Sequence, residues 1–168
     1  SISFVNGTDG VVLDDTYKSY VFKFIDIHPT GGNYTFGCQF STDGGSTYAV
    51  TKTTTAFRAF HTVSDSGSGL GYVAGIDLAQ STAFQDLATD SSGTDNDSGI
   101  SGTLQLFNPS STTYVKHFMS NTNSVKTDSE AKNIYIAGYG NTTSSIDAVR
   151  FQMSSGNIDA GTIKLYGI

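Results

Sequence analysis

The chain has 168 residues and a formal net charge of −6 at pH 7, a length typical of one domain with a single hydrophobic core. Hydrophobic residues make up 37% and charged residues 14% of it, and no apolar run approaches the roughly 20 residues that cross a bilayer, so we expect no membrane insertion. The lysines and arginines are scattered, which argues against nucleic-acid binding. Cys38 is the only cysteine, which excludes an intrachain disulfide.

Alternation of apolar and polar residues recurs along almost the whole chain and predicts strands with one face on a core. The first candidate is YVFKFIDIH (20–28). Its Phe24 points to one face and its Ile25 and Ile27 to the other, so we expect a central strand covered on both faces over part of its length. The second is YTFGCQFS (34–41), a half-buried strand. The further candidates are residues 47–51, 56–61, 70–75, 102–107, 113–119, 133–139, 148–153 and 162–168.

Turn signals rich in Gly, Pro, Asn and Asp separate these segments, as tight reversals require. Two segments depart from the alternation. DLAQSTAFQDLA (77–88) has the mixed apolar spacing of a short helix, and TDSSGTDNDSGIS (89–101) reads as an exposed loop. Many short strands with little helix between them predict an all-β fold, an antiparallel, jelly-roll-like β-sandwich of roughly eight to ten strands that forms one domain over residues 1–168.

The segment LFNPSSTTYVKHF (106–118) predicts a hairpin, because two apolar segments flank a turn that contains Asn108 and Pro109. On the second strand of this hairpin Lys116 and His117 are sequence neighbours. Their side chains therefore point to opposite faces of the sheet and cannot act together on one substrate. We interpret His117 as a sheet-face or interface residue rather than as a general base.

Catalytic chemistry has little support in the sequence. His28, His61 and His117 occur among many serines and aspartates, but a serine-rich chain produces such combinations by chance, and no G-x-S-x-G motif is present. The GSGLG segment (67–71) lacks the spacing of a nucleotide-binding loop. No aspartate pair stands out as suited to cleave a glycosidic bond. We therefore expect a non-enzymatic protein with no cofactor.

Two carboxylates suggest a cation. Asp95 and Asp97 are candidate calcium ligands, because alternating carboxylates in an oxygen-rich loop suit this ion. The loop lacks the terminal glutamate of an EF-hand. A solvent-exposed turn is therefore the preferred interpretation, and no metal is assigned.

Sugar binding is a second hypothesis, since sugar rings stack on exposed aromatic side chains and the chain has 9 Tyr and 11 Phe. The absence of Trp weighs against it. Tyr48, Tyr72 and Tyr139 are the candidates for glycan contact. Cross-strand packing is the alternative, and the preferred, role for each of them.

Three segments carry a resemblance to a known group. YKSYVFKFIDIHP, GTLQLFNPSSTTYVKHF and IDAVRFQMSSGNIDAGTIKLYGI resemble the C-terminal domain of structural proteins of tailed bacteriophages, marine ones in particular, and the terminal SSGNIDAGTIKLYGI is the most specific part. The resemblance implies a virion protein on the particle surface, either a capsid decoration, a head fibre or a tail-associated component. It also implies other virion proteins as partners, a homo-oligomer with a trimer favoured, contact with a host-surface glycan, and no catalytic residues. A carbohydrate-binding module or adhesin is the alternative, and a glycan-cleaving enzyme comes third.

Overall fold

The computed structural model of the chain describes residues 1–91, 98–126 and 130–168. Within these ranges the regular secondary structure is entirely strand, so no helix long and apolar enough to cross a membrane occurs there. The strands are β1 (Ile2–Val5), β2 (Ser19–Pro29), β3 (Tyr34–Ser41), β4 (Lys52–Thr62), β5 (Ser68–Tyr72), β6 (Gln85–Ser91), β7 (Gly99–Phe107), β8 (Lys116–Lys126), β9 (Glu130–Gly140), β10 (Ala148–Met153) and β11 (Ile158–Gly167).

These strands form two antiparallel sheets that pack as a β-sandwich, which confirms the predicted fold class. The smaller sheet has the strand order β1-β10-β3-β6, and the larger sheet has the order β11-β2-β7-β8-β9-β4-β5. The chain passes repeatedly from one sheet to the other, which is the jelly-roll-like feature of the sandwich. Burial alternates along the strands of the larger sheet. One of its faces therefore lies on the core, and we call the opposite one the outer face.

Phenylalanine rings join the two sheets. Phe22 and Phe24 point inward from β2, and both contact Phe151 of β10 at ring-centroid distances of 5.1 Å. Phe36 of β3 lies 5.1 Å from Phe24. All of these rings are buried and meet mainly edge to face, the arrangement that aromatic quadrupoles favour. This cluster fixes how the two sheets lie on each other.

The hairpin predicted over residues 106–118 is confirmed. Leu106 of β7 pairs with Phe118 of β8 across the antiparallel ladder. Lys116 is completely buried and its neighbour His117 is exposed, so the two side chains do lie on opposite faces. The lysine rather than the histidine faces the interior.

Strand β2 is internal to its sheet, as predicted, but the predicted cover on its second face is absent at Ile25. Ile25 remains 40% exposed on the outer face. Ile27 is fully buried, because the pairing register with β7 shifts between Phe24 and Ile27 and Asp26 adopts a positive φ of 50°. A bulge thus returns Ile27 to the core face, which a strict alternation could not anticipate.

The short helix predicted within residues 77–88 is also wrong. This segment runs irregularly beside β4, with bends at residues 79–80 and 83 and a positive φ of 49° at Gln80. The Leu78 amide donates to Thr54 Oγ1 at 2.9 Å, and Ser81 forms a β-bridge with Lys52. Strand β6 then begins at Gln85, a buried residue whose Oε1 accepts a hydrogen bond of 2.7 Å from the Thr54 hydroxyl. Hydrogen bonds to β4 take the place of helical ones.

Several boundaries also differ from the prediction. Residues 47–51 form no strand, whereas β1 and β6 are strands that the alternation did not predict. The expected loop at 89–101 is shorter than predicted, because residues 89–91 belong to β6 and β7 begins at Gly99. Residues 92–97 of that loop lie outside the described part of the chain.

Candidate binding face

The outer face of the larger sheet presents two adjacent rows of side chains that run across its strands. The pairing registers of β7, β8, β9, β4 and β5 define these rows, because directly opposite residues share a face. The first row is Gln105, Met119, Ala137 and Thr55. The second row is Thr103, Asn121, Tyr135, Phe57 and Tyr72.

A groove of about 340 Å³ lies between these rows, a volume within the range of small-ligand sites. Its depth comes from Ala137, whose methyl group sits between the larger Met119 on β8 and Thr55 on β4. The groove is lined by Thr55, Phe57, Thr103, Gln105, Met119, Ser120, Asn121, Tyr135, Ile136 and Ala137.

One wall of the groove is a pair of stacked aromatic rings. Phe57 and Tyr135 are directly opposite on β4 and β9, and their rings stack with centroids 4.9 Å apart and planes inclined by only 10°. Phe57 is 44% and Tyr135 is 40% exposed. We call this ring pair the platform.

Tyr72, predicted as a glycan contact, extends the second row on β5, directly opposite Phe57. Its hydroxyl donates to Asp77 Oδ2 at 2.6 Å, which fixes the ring at the margin of the platform. This hydrogen bond to the carboxylate raises the pKa of the Tyr72 hydroxyl, since the bond needs the phenol proton. The structure thus brings Tyr72 to the same face as the groove.

Tyr139, the second of these candidates, also lies on the outer face, two residues along β9 from Ala137. It is half-buried beside His117, with the rings 6.3 Å apart, and its hydroxyl accepts a hydrogen bond of 3.4 Å from the Gln80 amide. Tyr139 therefore lies next to the groove without lining it.

Tyr48, the third candidate, is not brought to this face. It follows β3 and packs beside the smaller sheet, where the Arg150 guanidinium lies 4.3 Å from the centre of its ring. The same guanidinium lies 5.3 Å from the ring of Phe84 and donates to Gln39 Oε1 at 2.6 Å. One face of the Tyr48 ring is thus already covered by arginine.

The three histidines do not form a site. His117 and His61 share the outer face, but they pair with Tyr139 and Ala131 and so lie about 27 Å apart along β9. His61 lies 3.2 Å from Asp65, and His28 bonds to the main-chain oxygens of Asp26 and Ser98. Each ring has a separate local partner.

The calcium candidates Asp95 and Asp97 lie outside the described residues. Within residues 1–91, 98–126 and 130–168, no group of three or more His, Cys, Asp or Glu side chains is placed to hold a metal ion.

The platform residues were missed from the sequence, although a signal for one of them is present. Tyr135 stands between Ile134 and Ile136. The alternation that buries both isoleucines therefore places Tyr135 on the opposite side of the strand, the side that also carries Tyr139. Phe57 carries no such signal. It is exposed while its neighbour Ala56 is buried, the reverse of what hydrophobicity alone indicates.

Comparison with known proteins identifies no relative, since no family model, curated protein or solved structure matches this chain.

Proposed function

We propose that this β-sandwich is a non-enzymatic protein of the surface of a tailed bacteriophage particle, acting as a capsid decoration, a head fibre or a tail-associated component. The location on a virion rests on the resemblance of the three segments described above. The mode of action, through non-covalent contact, rests on the outer face of the larger sheet.

The exposure of large apolar side chains on that face is the observation that supports a contact function. Met119 is 54% exposed and lies beside the platform, whose two rings are also solvent-accessible. Apolar side chains gathered on one exposed face are typical of interaction surfaces. A purely structural sheet would gain more from polar residues at these positions.

We also infer a homo-oligomer, with a trimer favoured, that contacts other virion proteins. Strand β5 supports self-association, because it ends the larger sheet and offers one edge of its backbone to a further strand. Its Leu70 is 76% exposed, and the nearby Val63 is 78% exposed. An apolar edge strand favours pairing with a second chain.

Immunogold labelling of intact tailed-phage particles that encode this chain tests the location. We expect antibodies against the 168-residue chain to label the outside of unbroken particles at regular positions. Native mass spectrometry of the purified protein should show a trimer. Particles without label, together with a monomer at high concentration, would contradict the proposal.

A carbohydrate-binding module or adhesin is the second candidate, and the platform is the observation that favours it. An exposed tyrosine ring that is held by a stacked phenylalanine and lies next to amide and hydroxyl groups resembles a sugar-binding surface more than a generic apolar patch. The two functions are compatible, since a particle-surface protein can bind the glycans of a host.

A further inference from the structure

We propose that the groove on the outer face binds a neutral glycan, with one pyranose ring stacked on the Tyr135 ring of the platform, on the side away from Phe57, and its hydroxyls bonded to Asn121 and Thr103. This inference rests on the proposed function, because it names the host-surface ligand of the same face.

The platform suits the flat face of a sugar ring. The C–H bonds of a pyranose carry partial positive charge, and the faces of aromatic rings carry partial negative charge. The rings of Phe57 and Tyr135 stack on each other, so Phe57 covers one face of Tyr135 and the other face, on the side of Asn121, is left for a sugar. The wall that they form also borders the groove directly, so a stacked sugar would present its edge to the polar side chains of the lining.

Those polar side chains are available for hydrogen bonds. Asn121 is exposed, adjoins Tyr135 in the pairing register, and its amide bonds to no other residue of the described chain. The Tyr135 hydroxyl likewise has no partner within the described residues. Thr103 lies beside Asn121 in the same row. An amide and hydroxyls that both donate and accept match the vicinal hydroxyls of a sugar.

The charge of the groove indicates a neutral ligand. None of its lining residues, all within the described part of the chain, is charged. Beyond the Thr103 end of the second row, Lys23 lies opposite Thr103 on β2. Its ammonium lies 5.3 Å from the centre of the Tyr166 ring, on the far side from the platform. The net charge of −6 further disfavours acidic polysaccharides.

A two-fold dimer through the groove fits less well than a sugar, and the trimer proposed above is argued from the edge strand β5 rather than from the groove. In a two-fold dimer the same surface meets itself. Two grooves would then face each other across Ala137 and leave unfilled volume, whereas stable interfaces pack as densely as protein interiors. A narrow chain of sugar rings can enter a concave surface that a copy of that surface cannot fill.

A microarray of neutral and uronate-containing bacterial polysaccharides is the direct test. We expect the chain to bind neutral members of the array. The Tyr135→Ala variant should bind at least about tenfold more weakly, because it loses the ring on which the sugar stacks. The Ala137→Phe variant, which fills the groove, should not bind. Tyr114→Ala is the matched control, since Tyr114 is 70% exposed and does not line the groove.

Amide chemical-shift mapping of the unmodified chain with the best-binding polysaccharide gives a readout that needs no variant. We expect the shifts to cluster on β8, β9 and β4 around the groove. The absence of binding to every printed glycan, binding confined to uronates, or equal binding by Tyr135→Ala would overturn the inference. Conversion of an oligomer to a monomer by Tyr135→Ala would also overturn it, by showing that a second copy covers the groove. Immunogold labelling of particles is independent of all these outcomes and tests the proposed function separately.

Discussion

The rings of Phe24 and Phe151 meet edge to face between the two sheets, with centroids 5.1 Å apart and planes inclined by 72°. Phe24 comes from the larger sheet and Phe151 from the smaller one, and both are almost completely inaccessible to solvent. Their contact lies within the cluster that also holds Phe22 and Phe36. The position of the outer face therefore depends on aromatic packing on the opposite side of the same sheet.

Replacing Phe151 tests this dependence. Because the ring is fully buried and contacts rings from both sheets, we expect Phe151→Ala to lower the free energy of unfolding by about 3–5 kcal/mol. Urea denaturation followed by tyrosine fluorescence measures it. Tyr114→Ala should change the same free energy by less than about 0.5 kcal/mol. A loss below about 1 kcal/mol for Phe151→Ala would show that the cluster does not hold the sheets together.

A glycine in β9 permits close approach of β4. A Cβ atom at Gly138 would lie 2.5 Å from the Thr53 carbonyl oxygen and 2.9 Å from Thr54 Cα, so the backbone itself would have to move. We expect Gly138→Ala to lower the midpoint of urea unfolding, by an amount equivalent to about 1–3 kcal/mol. Gly71→Ala on β5 is the control, since nothing lies within 4 Å of a Cβ there. Equal midpoints for the two variants would contradict the close packing of β4 and β9.

Lys116 is a buried cation whose ammonium group is bonded to main-chain oxygens. Its Nζ donates to the carbonyl of Tyr114 at 2.7 Å and to those of Thr142 and Thr143 at 3.4 and 3.3 Å. Lys116→Met would keep the apolar stem and leave these oxygens without their donor. We expect a loss of about 1–3 kcal/mol in the free energy of unfolding.

The matched control for this variant is Lys23→Met, which removes an exposed lysine from the same sheet. Calorimetric unfolding of both variants separates the two effects. A melting temperature unchanged by Lys116→Met, or lowered equally by Lys23→Met, would mean that the ammonium does not stabilise the 142–143 segment.

Protonation of the Asp43 carboxylate should lower the stability of the folded chain at acid pH. Its carboxylate accepts hydrogen bonds from the Ser41 hydroxyl at 2.7 Å and the Thr47 amide at 2.8 Å, which lower the pKa of Asp43 below 3.8. Stabilisation by the ionised form is therefore present above pH 3.8 and is lost as the pH falls through the folded-state pKa. The unmodified chain should be more stable than Asp43→Asn at pH 6, and this difference should shrink as the pH falls below 3.8. A difference that stays constant across melting curves at these pH values would contradict this role.

Cys38 should be unreactive in the folded protein. Burial raises the pKa of its thiol to about 12, so the nucleophilic thiolate is scarce at neutral pH. Its side chain is also inaccessible to solvent. We expect an aromatic disulfide reagent at pH 8 to modify Cys38 only at the rate of global unfolding, and at once in concentrated urea. Rapid modification of the native chain would show that the core between the sheets opens locally.

Much of the fold could be predicted because most strands bury only one face. In residues 133–139 the period of two is clear in both the sequence and the burial of β9. Residues 34–41 also form a strand, but the prediction that it is half-buried is wrong, because both of its faces are buried from Phe36 to Ser41. The alternation failed at Ile27, where a bulge at Asp26 reverses the facing of the side chains. It also failed at residues 77–88, where hydrogen bonds to β4, which lies far away in the sequence, decide the conformation.

The candidate site could be predicted only in part. The sequence names Tyr72 and Tyr139 as candidates for glycan contact, and the structure places both on the outer face. The platform depends on the exact pairing of Phe57 with Tyr135, and the groove depends on the pairing of Ala137 with Met119. Sequence patterns reveal the faces of a strand, but the register between strands far apart in the chain follows only from the folded structure.

Hydroxyl-radical footprinting on intact particles tests the central claim that the outer face is a free contact surface for glycans. Met119 and Tyr135 are exposed on that face and react readily with such radicals. We predict that both are oxidised on particles alone and become protected when the best-binding neutral polysaccharide is added. Protection on particles without any polysaccharide, or oxidation unchanged by its addition, would contradict the account.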